Sequence, residues 1–122
     1  VGDISTQNQQ PQVYPTDTIK KVILEISSKR LGATAVVNES NELVGVITDG
    51  DLRRMLEKSD SITTLTAADI MNKTPKKIEA SELAINAMEL LEKYNITQLI
   101  VTEKDRYKGF VHLHDLIKEG II

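Results

Sequence analysis

The sequence contains an internal repeat, and no other feature restricts its fold as strongly. Val13–Met55 aligns with Lys77–Glu119 without a gap, so that Gly45 falls on Gly109 and Asp51 on Asp115. Few aligned residues are identical, but the apolar positions agree along both copies. One such unit has too small a core to stand alone, so two copies are predicted to pack sheet against sheet around a common core.

Each copy begins with a segment that has the pattern of an amphipathic helix. Its apolar residues recur three or four positions apart, which places them on one helix face. These residues are Ile19, Val22, Ile23 and Ile26 in the first copy, and Leu83, Ala87, Leu90, Leu91 and Tyr94 in the second. Asp17 and Ser81 precede the two helices in the same register and are predicted to be their N-cap residues.

A strand, a polar turn, a second strand and a short final helix follow in each copy. The predicted strands are Ala35–Val37 and Leu43–Thr48 in the first copy, and Leu99–Val101 and Tyr107–His112 in the second. The final helices are predicted to begin near Asp51 and Asp115. The second strands contain Gly45 and Gly109, and glycine inside a strand indicates a bulge or a close backbone approach.

The predicted fold class is therefore α+β in two layers, with tandem helix–strand–strand–helix repeats related by a pseudo-twofold axis. Residues 1–58 are assigned to the first repeat with its leading segment, 59–67 to a connector and 68–122 to the second repeat. The polar stretch Ser5–Gln10 is interpreted as an extended leading strand or a linker from an upstream domain. Because the chain does not begin with Met, we expect it to be part of a longer protein.

Composition and charge argue against several classes of function. The chain has 122 residues and no cysteine, which removes disulfides, thiolate zinc sites and thiol catalysis. A net charge of −3 and an aromatic content of 3% do not favour nucleic-acid binding. No apolar run approaches the roughly 18 residues of a membrane helix, and no secretory signal is visible. We expect a cytoplasmic protein with neither nucleic-acid nor membrane partners.

The residues that could carry catalysis or bind a metal are few. The only two histidines, His112 and His114, stand two positions apart, and no glycine-rich phosphate loop is present. Asp49-Gly50-Asp51 lacks the further oxygen ligands of a calcium loop, and the histidine pair lacks a third zinc ligand. The chain is therefore predicted to have no catalytic residue, no metal site and no required cofactor.

Two segments resemble the closing motif of the CBS domain family. They are Gly-Val-Ile-Thr-Asp-Gly-Asp-Leu at Gly45–Leu52 and Gly-Phe-Val-His-Leu-His-Asp-Leu at Gly109–Leu116. A narrower resemblance is to the CBS region of arabinose-5-phosphate isomerases, the sugar-phosphate isomerases at the start of the Kdo branch of lipopolysaccharide synthesis. Its motifs are Lys29–Ala33, Thr48–Arg54, Ala68–Met71, Ile96-Thr97 and the tail His112–Ile122. In that family a sugar isomerase (SIS) domain precedes the CBS pair and holds the active site.

The resemblance also implies a set of ligand-binding residues. In ligand-binding CBS pairs a Thr or Ser at the end of the second strand, and an Asp three residues later, bind phosphate and ribose. Thr48 and Asp51 match this pattern in the first copy, although Asp51 could equally serve only as a helix cap. In the second copy Asp115 matches, whereas His112 replaces the hydroxyl residue and His114 stands beside the Asp. Two solvated histidines at a strand end are the competing interpretation.

Each site of the family combines residues of both repeats. The resemblance places His112, His114 and Asp115 with Thr16, Leu31 and Gly32 of the first copy. It places Thr48 and Asp51 with Ala80 and Ile96 of the second copy. Thr97, Gln98 and Asp69 are further candidates by the same resemblance. Thr16 offers a hydroxyl where Ala80 offers nothing polar, so the Asp115 site is predicted to be the better equipped.

The functional expectation is a regulatory module that binds a nucleotide or nucleotide-sugar, with CMP-Kdo as the pathway candidate. It would act on an attached SIS isomerase domain and assemble as a homodimer or tetramer. Two alternatives stay open at this point. One is a purely architectural module that holds an oligomer together without a ligand, and the other is a free-standing CBS protein that docks onto other partners.

Overall fold

A computed structural model describes Gly2, residues 10–29, 32–58 and 63–118, and Gly120. The chain forms two compact units. The first unit is Pro11–Pro75, and the second unit is Val1–Gln10 together with Lys76–Ile122. The units do not coincide with the sequence repeats, because the segment that leads into the second repeat packs with the first unit. Within the described residues, no helix has the length and apolar content needed to cross a bilayer.

In its described residues, the first unit has a three-stranded sheet and three helices. Its elements are β1 (Gln12–Val13), α1 (Ile19–Lys29), β2 (Ala33–Val37), β3 (Leu43–Thr48), α2 (Asp49–Lys58) and α3 (Ala67–Ile70). Strand β2 lies between its neighbours, parallel to β1 and antiparallel to β3. Strand β1 was not predicted from the sequence. Residues 5–9 of the predicted leading strand or linker lie outside the described residues, so that prediction stays untested.

The second unit repeats the order strand, helix, strand, strand, helix of the first. Its elements are β4 (Lys77–Glu79), α4 (Ala84–Tyr94), β5 (Gln98–Glu103), β6 (Arg106–His112) and α5 (Leu113–Lys118). Strand β5 is parallel to β4 and antiparallel to β6. All four predicted hairpin strands are thus confirmed, with ends that differ by up to two residues, and so are the final helices. The α+β class with one small sheet per repeat is confirmed.

The ungapped alignment of the repeats is wrong by one residue in its first half. Val36 pairs with Gly45, and Val101 pairs with Gly109. Val36 is therefore equivalent to Val101, whereas the sequence alignment had placed it on Ile100. The reason is a hairpin turn that is one residue shorter in the second copy. Apolar pattern alone could not show this, because β2 and β5 are apolar on both faces.

Both glycines of the second strands lie where the backbone departs from regular pairing, as predicted. The ladder shifts register beside Gly45, between Val36 and Val37, and beside Gly109, between Val101 and Thr102. Gly109 has a φ of 134°, which side chains rarely adopt. At Gly45 a Cβ atom would lie 2.7 Å from the Met71 sulfur. The glycines therefore permit a bulge in each sheet and a close approach in the first.

The predicted N-cap residues of the two long helices are wrong. In α1 the hydroxyl of Thr18 accepts the Lys21 amide at 3.2 Å, whereas the Asp17 carboxylate accepts the Tyr14 amide at 2.7 Å. In α4 the N-cap is Leu83, which makes no capping bond through its side chain. The helices begin one and two residues later than the predicted N-caps Asp17 and Ser81 implied, because the preceding residues form a turn.

Each unit has its own apolar core between its sheet and its helices. In the first unit the core consists of Val13, Ile19, Val22, Ile26, Val36, Ile47, Leu52, Met55 and Ala67. In the second it consists of Ile78, Ala87, Leu91, Leu99, Val101, Val111 and Leu116. The helical spacing identified these helix residues correctly, with two exceptions in the second copy. Leu83 is 68% exposed and Tyr94 is 39% exposed.

Candidate functional site

In the second unit, polar residues collect at one end of the sheet. Gln98, the first residue of β5, pairs with His112, the last residue of β6. The Leu113 amide donates to the Thr97 carbonyl at 2.8 Å, which joins the start of α5 to the residue before β5. The hairpin thus brings the candidates Thr97, Gln98 and His112 together. His114 and Asp115 follow directly in α5.

His112 is held by two hydrogen bonds with its own neighbours. Its backbone amide donates to Asp115 Oδ2 at 2.7 Å, and its Nδ1 accepts the His114 amide at 3.1 Å. Since Nδ1 acts as an acceptor, the neutral ring carries its proton on Nε2. The two imidazoles are stacked, with centroids 5.0 Å apart and planes 5° from parallel. The imidazoles and a carboxylate therefore form one cluster where β6 ends and α5 begins.

The electrostatics of this cluster oppose protonation of His112. Burial lowers the pKa of His112 below its ordinary value of 6.5, and the charge of neighbouring His114 lowers it further. The Asp115 carboxylate acts in the opposite direction, because it stabilises the imidazolium. His112 is thus predominantly neutral at pH 7, and its Nε2–H is available as a donor without a net charge.

In the first unit, Thr48 and Asp51 form a reciprocal cap at the start of α2. The Thr48 amide donates to Asp51 Oδ2 at 2.9 Å, and the Asp51 amide donates to the Thr48 hydroxyl at 3.2 Å. The hydroxyl itself donates to the same carboxylate oxygen at 3.1 Å. Asp51 therefore takes part in the cap of α2, although Thr48 holds the N-cap position and Asp51 is the third residue of the helix. Ligand binding by this pair stays a prediction.

Arg54 adds a contact that the sequence analysis did not predict. Its guanidinium binds Asp51 Oδ1 from one turn further along α2. Both carboxylate oxygens of Asp51 are therefore occupied, Oδ2 by Thr48 and Oδ1 by Arg54. The spacing of three residues between an acid and an arginine on one helix was the available signal.

The other candidates of the first unit fall in two places. The Gly32 carbonyl accepts the Asp49 amide at 3.0 Å, so Gly32 lies beside the Thr48–Asp51 cap. Thr16 is exposed, in the turn before α1, and Asp69 is exposed in α3. Those two segments are joined by a bond from the Ala68 amide to the Pro15 carbonyl at 2.9 Å. The Asp69 carboxylate accepts the Thr66 amide at 2.8 Å.

Several predictions about the site have no test in the structure. Leu31 lies outside the described residues. The grouping of first-copy with second-copy residues into one site also stays a prediction. Thr97 additionally lines a cavity of about 210 Å³ beneath α4, together with Asn95, Ile96 and Leu113. Among the residues that the structure describes, no cluster of three or more His, Asp or Glu side chains has the geometry of a metal site.

The chain belongs to the CBS domain family. The CBS domain model matches residues 1–58 and 67–121, which are the two sequence repeats. A CBS domain protein from Pyrobaculum aerophilum, solved in complex with AMP, superposes with a TM-score of 0.79 at 22% identity. That comparison covers 94% of this chain and 88% of the other, and it shows the shared fold.

The curated relatives identify the kind of CBS pair. The arabinose 5-phosphate isomerase KdsD of Francisella tularensis is 48% identical over 112 residues, which is 91% of this chain and 34% of that protein. The KdsD of Yersinia pestis is 33% identical over 123 residues, which is all of this chain and 38% of that protein. This chain therefore matches the CBS region of KdsD and spans little more than a third of the relatives' length.

Proposed function

We propose that this chain is the ligand-sensing module of an arabinose-5-phosphate isomerase, and that it binds a nucleotide or nucleotide-sugar. In this proposal the occupied module modulates an SIS isomerase domain of the same protein. The similarity to the CBS region of KdsD supports the parent enzyme. The observation that carries ligand binding is the convergence of Gln98, His112, His114 and Asp115 at one end of the second unit's sheet.

The chemistry of that cluster suits the parts of a nucleotide. A carboxylate such as Asp115 can accept hydrogen bonds from both hydroxyls of a ribose. An imidazole can donate to phosphate, and it does so more strongly when it is protonated. The AMP bound to the Pyrobaculum protein is a ligand of this type in the same fold. A CMP-linked sugar such as CMP-Kdo is the feedback ligand that the proposed pathway would provide.

The two carboxylates are not expected to contribute equally. At Asp51 a ribose hydroxyl would have to displace the guanidinium of Arg54 from Oδ1. In the second unit, two imidazoles that can donate to phosphate accompany Asp115, and the first unit has no histidine. We therefore propose the Asp115 cluster as the principal site.

Calorimetric titration with AMP and CMP tests this assignment. The variants are Asp115→Asn and Asp51→Asn, since an asparagine oxygen still accepts the capping amide and keeps the fold comparable. At pH 7.5 the Asp115→Asn variant is expected to lose about tenfold in affinity, the effect of one charge-assisted hydrogen bond, and Asp51→Asn clearly less. Equal losses in the two variants would contradict the choice of site.

The same titration at lower pH tests the role of the histidines. AMP affinity should rise as the pH falls below 6.5, because imidazolium binds phosphate more strongly. Adenosine, which has no phosphate, is the control ligand and should show no such rise. The His112→Asn variant separates protonation of the protein from protonation of the nucleotide phosphate. An AMP affinity that is indifferent to pH would remove the histidines from the proposal.

The architectural alternative rests on exposed apolar side chains. Leu24 of α1 is 60% exposed, Leu56 of α2 is 55% exposed and Leu83 before α4 is 68% exposed. Large apolar groups of this kind are often covered by a second copy of the same chain. Silent titrations with every nucleotide, together with a dimer in sedimentation experiments, would favour this alternative over ligand sensing.

A further inference from the structure

One atom of the candidate site lacks the partner that its environment requires. The side-chain oxygen of Gln98, Oε1, is buried and accepts no hydrogen bond. Across the described part of the chain, it is the one buried side-chain polar atom in this condition. Burial without a partner costs a polar group its hydration, so native proteins rarely leave such an atom unsatisfied.

The position of Gln98 connects this atom with the ligand cluster. Gln98 and His112 are paired across β5 and β6, and directly opposite residues of a sheet project to the same face. That face continues along the sheet with Ile100, Thr102 and Phe110, each at most 2% exposed. The amide of Gln98 therefore lies where a buried apolar face ends at the imidazole and carboxylate groups.

We propose that Gln98 Oε1 accepts the exocyclic amino group of a nucleotide base. The inference rests on the proposed nucleotide binding and names the class of base. Adenine with its 6-amino group and cytosine with its 4-amino group would satisfy the buried oxygen. Hypoxanthine and uracil carry a carbonyl at the corresponding position. This carbonyl would face a second acceptor unless the amide of Gln98 rotated, and rotation would bury an NH2 group with two donors in place of the oxygen. The second-unit site thus selects amino bases.

The first unit offers no equivalent group. Ala33 pairs with Thr48 as Gln98 pairs with His112, and an alanine side chain has no acceptor. Discrimination between amino and oxo bases therefore belongs to the second unit alone. It is also independent of Asp115, which is assigned to the ribose.

Two nucleotide pairs that differ chiefly in this group provide the test, namely AMP with IMP and CMP with UMP. Wild-type chain is expected to bind the amino member of each pair about tenfold more tightly, because the oxo member leaves the buried oxygen unpaired. In Gln98→Met, which keeps the length of the side chain but removes its polar atoms, the ratio is expected to approach one. Gln12→Met, which makes the same change at an exposed glutamine of β1, is the matched control and should leave the ratio unchanged.

The thermal stability of the unliganded variant gives a second measurement. Replacing an unsatisfied amide with an apolar side chain should leave the Tm of Gln98→Met equal to that of the wild type or raise it. A clear loss of Tm would show that the amide has a structural partner and would overturn the inference. Nucleotide binding without discrimination, or with the same ratio in Gln98→Met, would also overturn it and would leave the proposed function intact. Absence of any nucleotide binding by the wild-type chain would refute the proposed function itself.

Discussion

At the scale of single residues, two equivalent aspartates occupy different electrostatic surroundings. Asp51 caps α2 and binds the guanidinium of Arg54. Asp115 accepts the amide of His112, whose ring faces that of His114. The aspartate therefore takes part in a helix cap in both copies. Its neighbour is a permanently charged guanidinium in the first copy and a pair of titratable imidazoles in the second.

The ring of His112 provides a direct test of these surroundings. We expect NMR titration to give a pKa for His112 below 6.5, because burial and the charge of His114 both disfavour the imidazolium. The His114→Asn variant should raise the pKa of His112. The Asp115→Asn variant should lower it further, since a stabilising charge is lost. A wild-type pKa of His112 at or above 6.5 would contradict this account.

The same shift has a consequence for folding. The unfolded chain protonates His112 near pH 6.5, whereas the folded chain does so only at lower pH. The free energy of unfolding is therefore highest above pH 6.5 with respect to this group and falls as the pH drops towards the folded-state pKa. Urea denaturation at pH 7.5 and 5.5 measures the free energy of unfolding at both values. The difference between the two should be smaller for His112→Asn than for the wild type. An equal difference in the variant and the wild type would show that protonation of His112 does not affect stability.

At the scale of elements, a close backbone contact joins β3 to the segment after α3. Val46 and Asn72 exchange backbone hydrogen bonds of 3.0 and 2.8 Å. The contact needs Gly45, because a Cβ atom there would lie 3.0 Å from the Asn72 carbonyl oxygen as well as close to Met71. A segment distant in sequence is thus held on the edge of the first sheet by a residue without a side chain.

Replacing this glycine should be costly. We expect Gly45→Ala to lower the free energy of unfolding by about 1–3 kcal/mol, the usual cost of inserting atoms into a packed site. Gly50→Ala is the matched control, since its Cβ atom would meet only the flexible end of Arg54 at 3.3 Å and the Thr48 hydroxyl at 3.6 Å. Because alanine favours a helix more than glycine does, Gly50→Ala should raise the free energy of unfolding by up to about 1 kcal/mol. Equal effects in chemical denaturation would refute the packing argument.

At the scale of the whole molecule, the chain consists of two units with the same order of strands and long helices. Each unit has its own core, so the repeat is a repeat of packing as well as of sequence. The units differ at the ends of their second strands, where Thr48 in one corresponds to His112 in the other. The proposed preference for the Asp115 cluster as the ligand site rests on this difference.

The chain by itself is expected to show no turnover of arabinose 5-phosphate. It matches 34–38% of the length of the KdsD relatives, and its two histidines belong to the proposed ligand cluster. An isomerase assay on the purified chain should remain at the buffer rate, with a full-length KdsD as the positive control. Turnover that increases with the concentration of the chain would contradict its assignment as a sensing module.

The sequence alone determined the repeat, the kind and order of the hairpin strands and helices, and the positions of Thr48, Asp51, His112 and Asp115. These features follow from local periodicity and from motifs of adjacent residues, which backbone geometry converts directly into helices, strands and caps.

Only the tertiary structure decided the one-residue shift between Val36 and Val101, the exposure of Leu83 and the isolation of Gln98 Oε1. Strands that are apolar on both faces carry no alternation that would set their register, so pairing with the neighbouring strand sets it. Likewise, whether a polar atom finds a partner depends on groups that are distant in sequence. The sequence could name Gln98 as a candidate, but its unsatisfied acceptor is a property of the packed sheet.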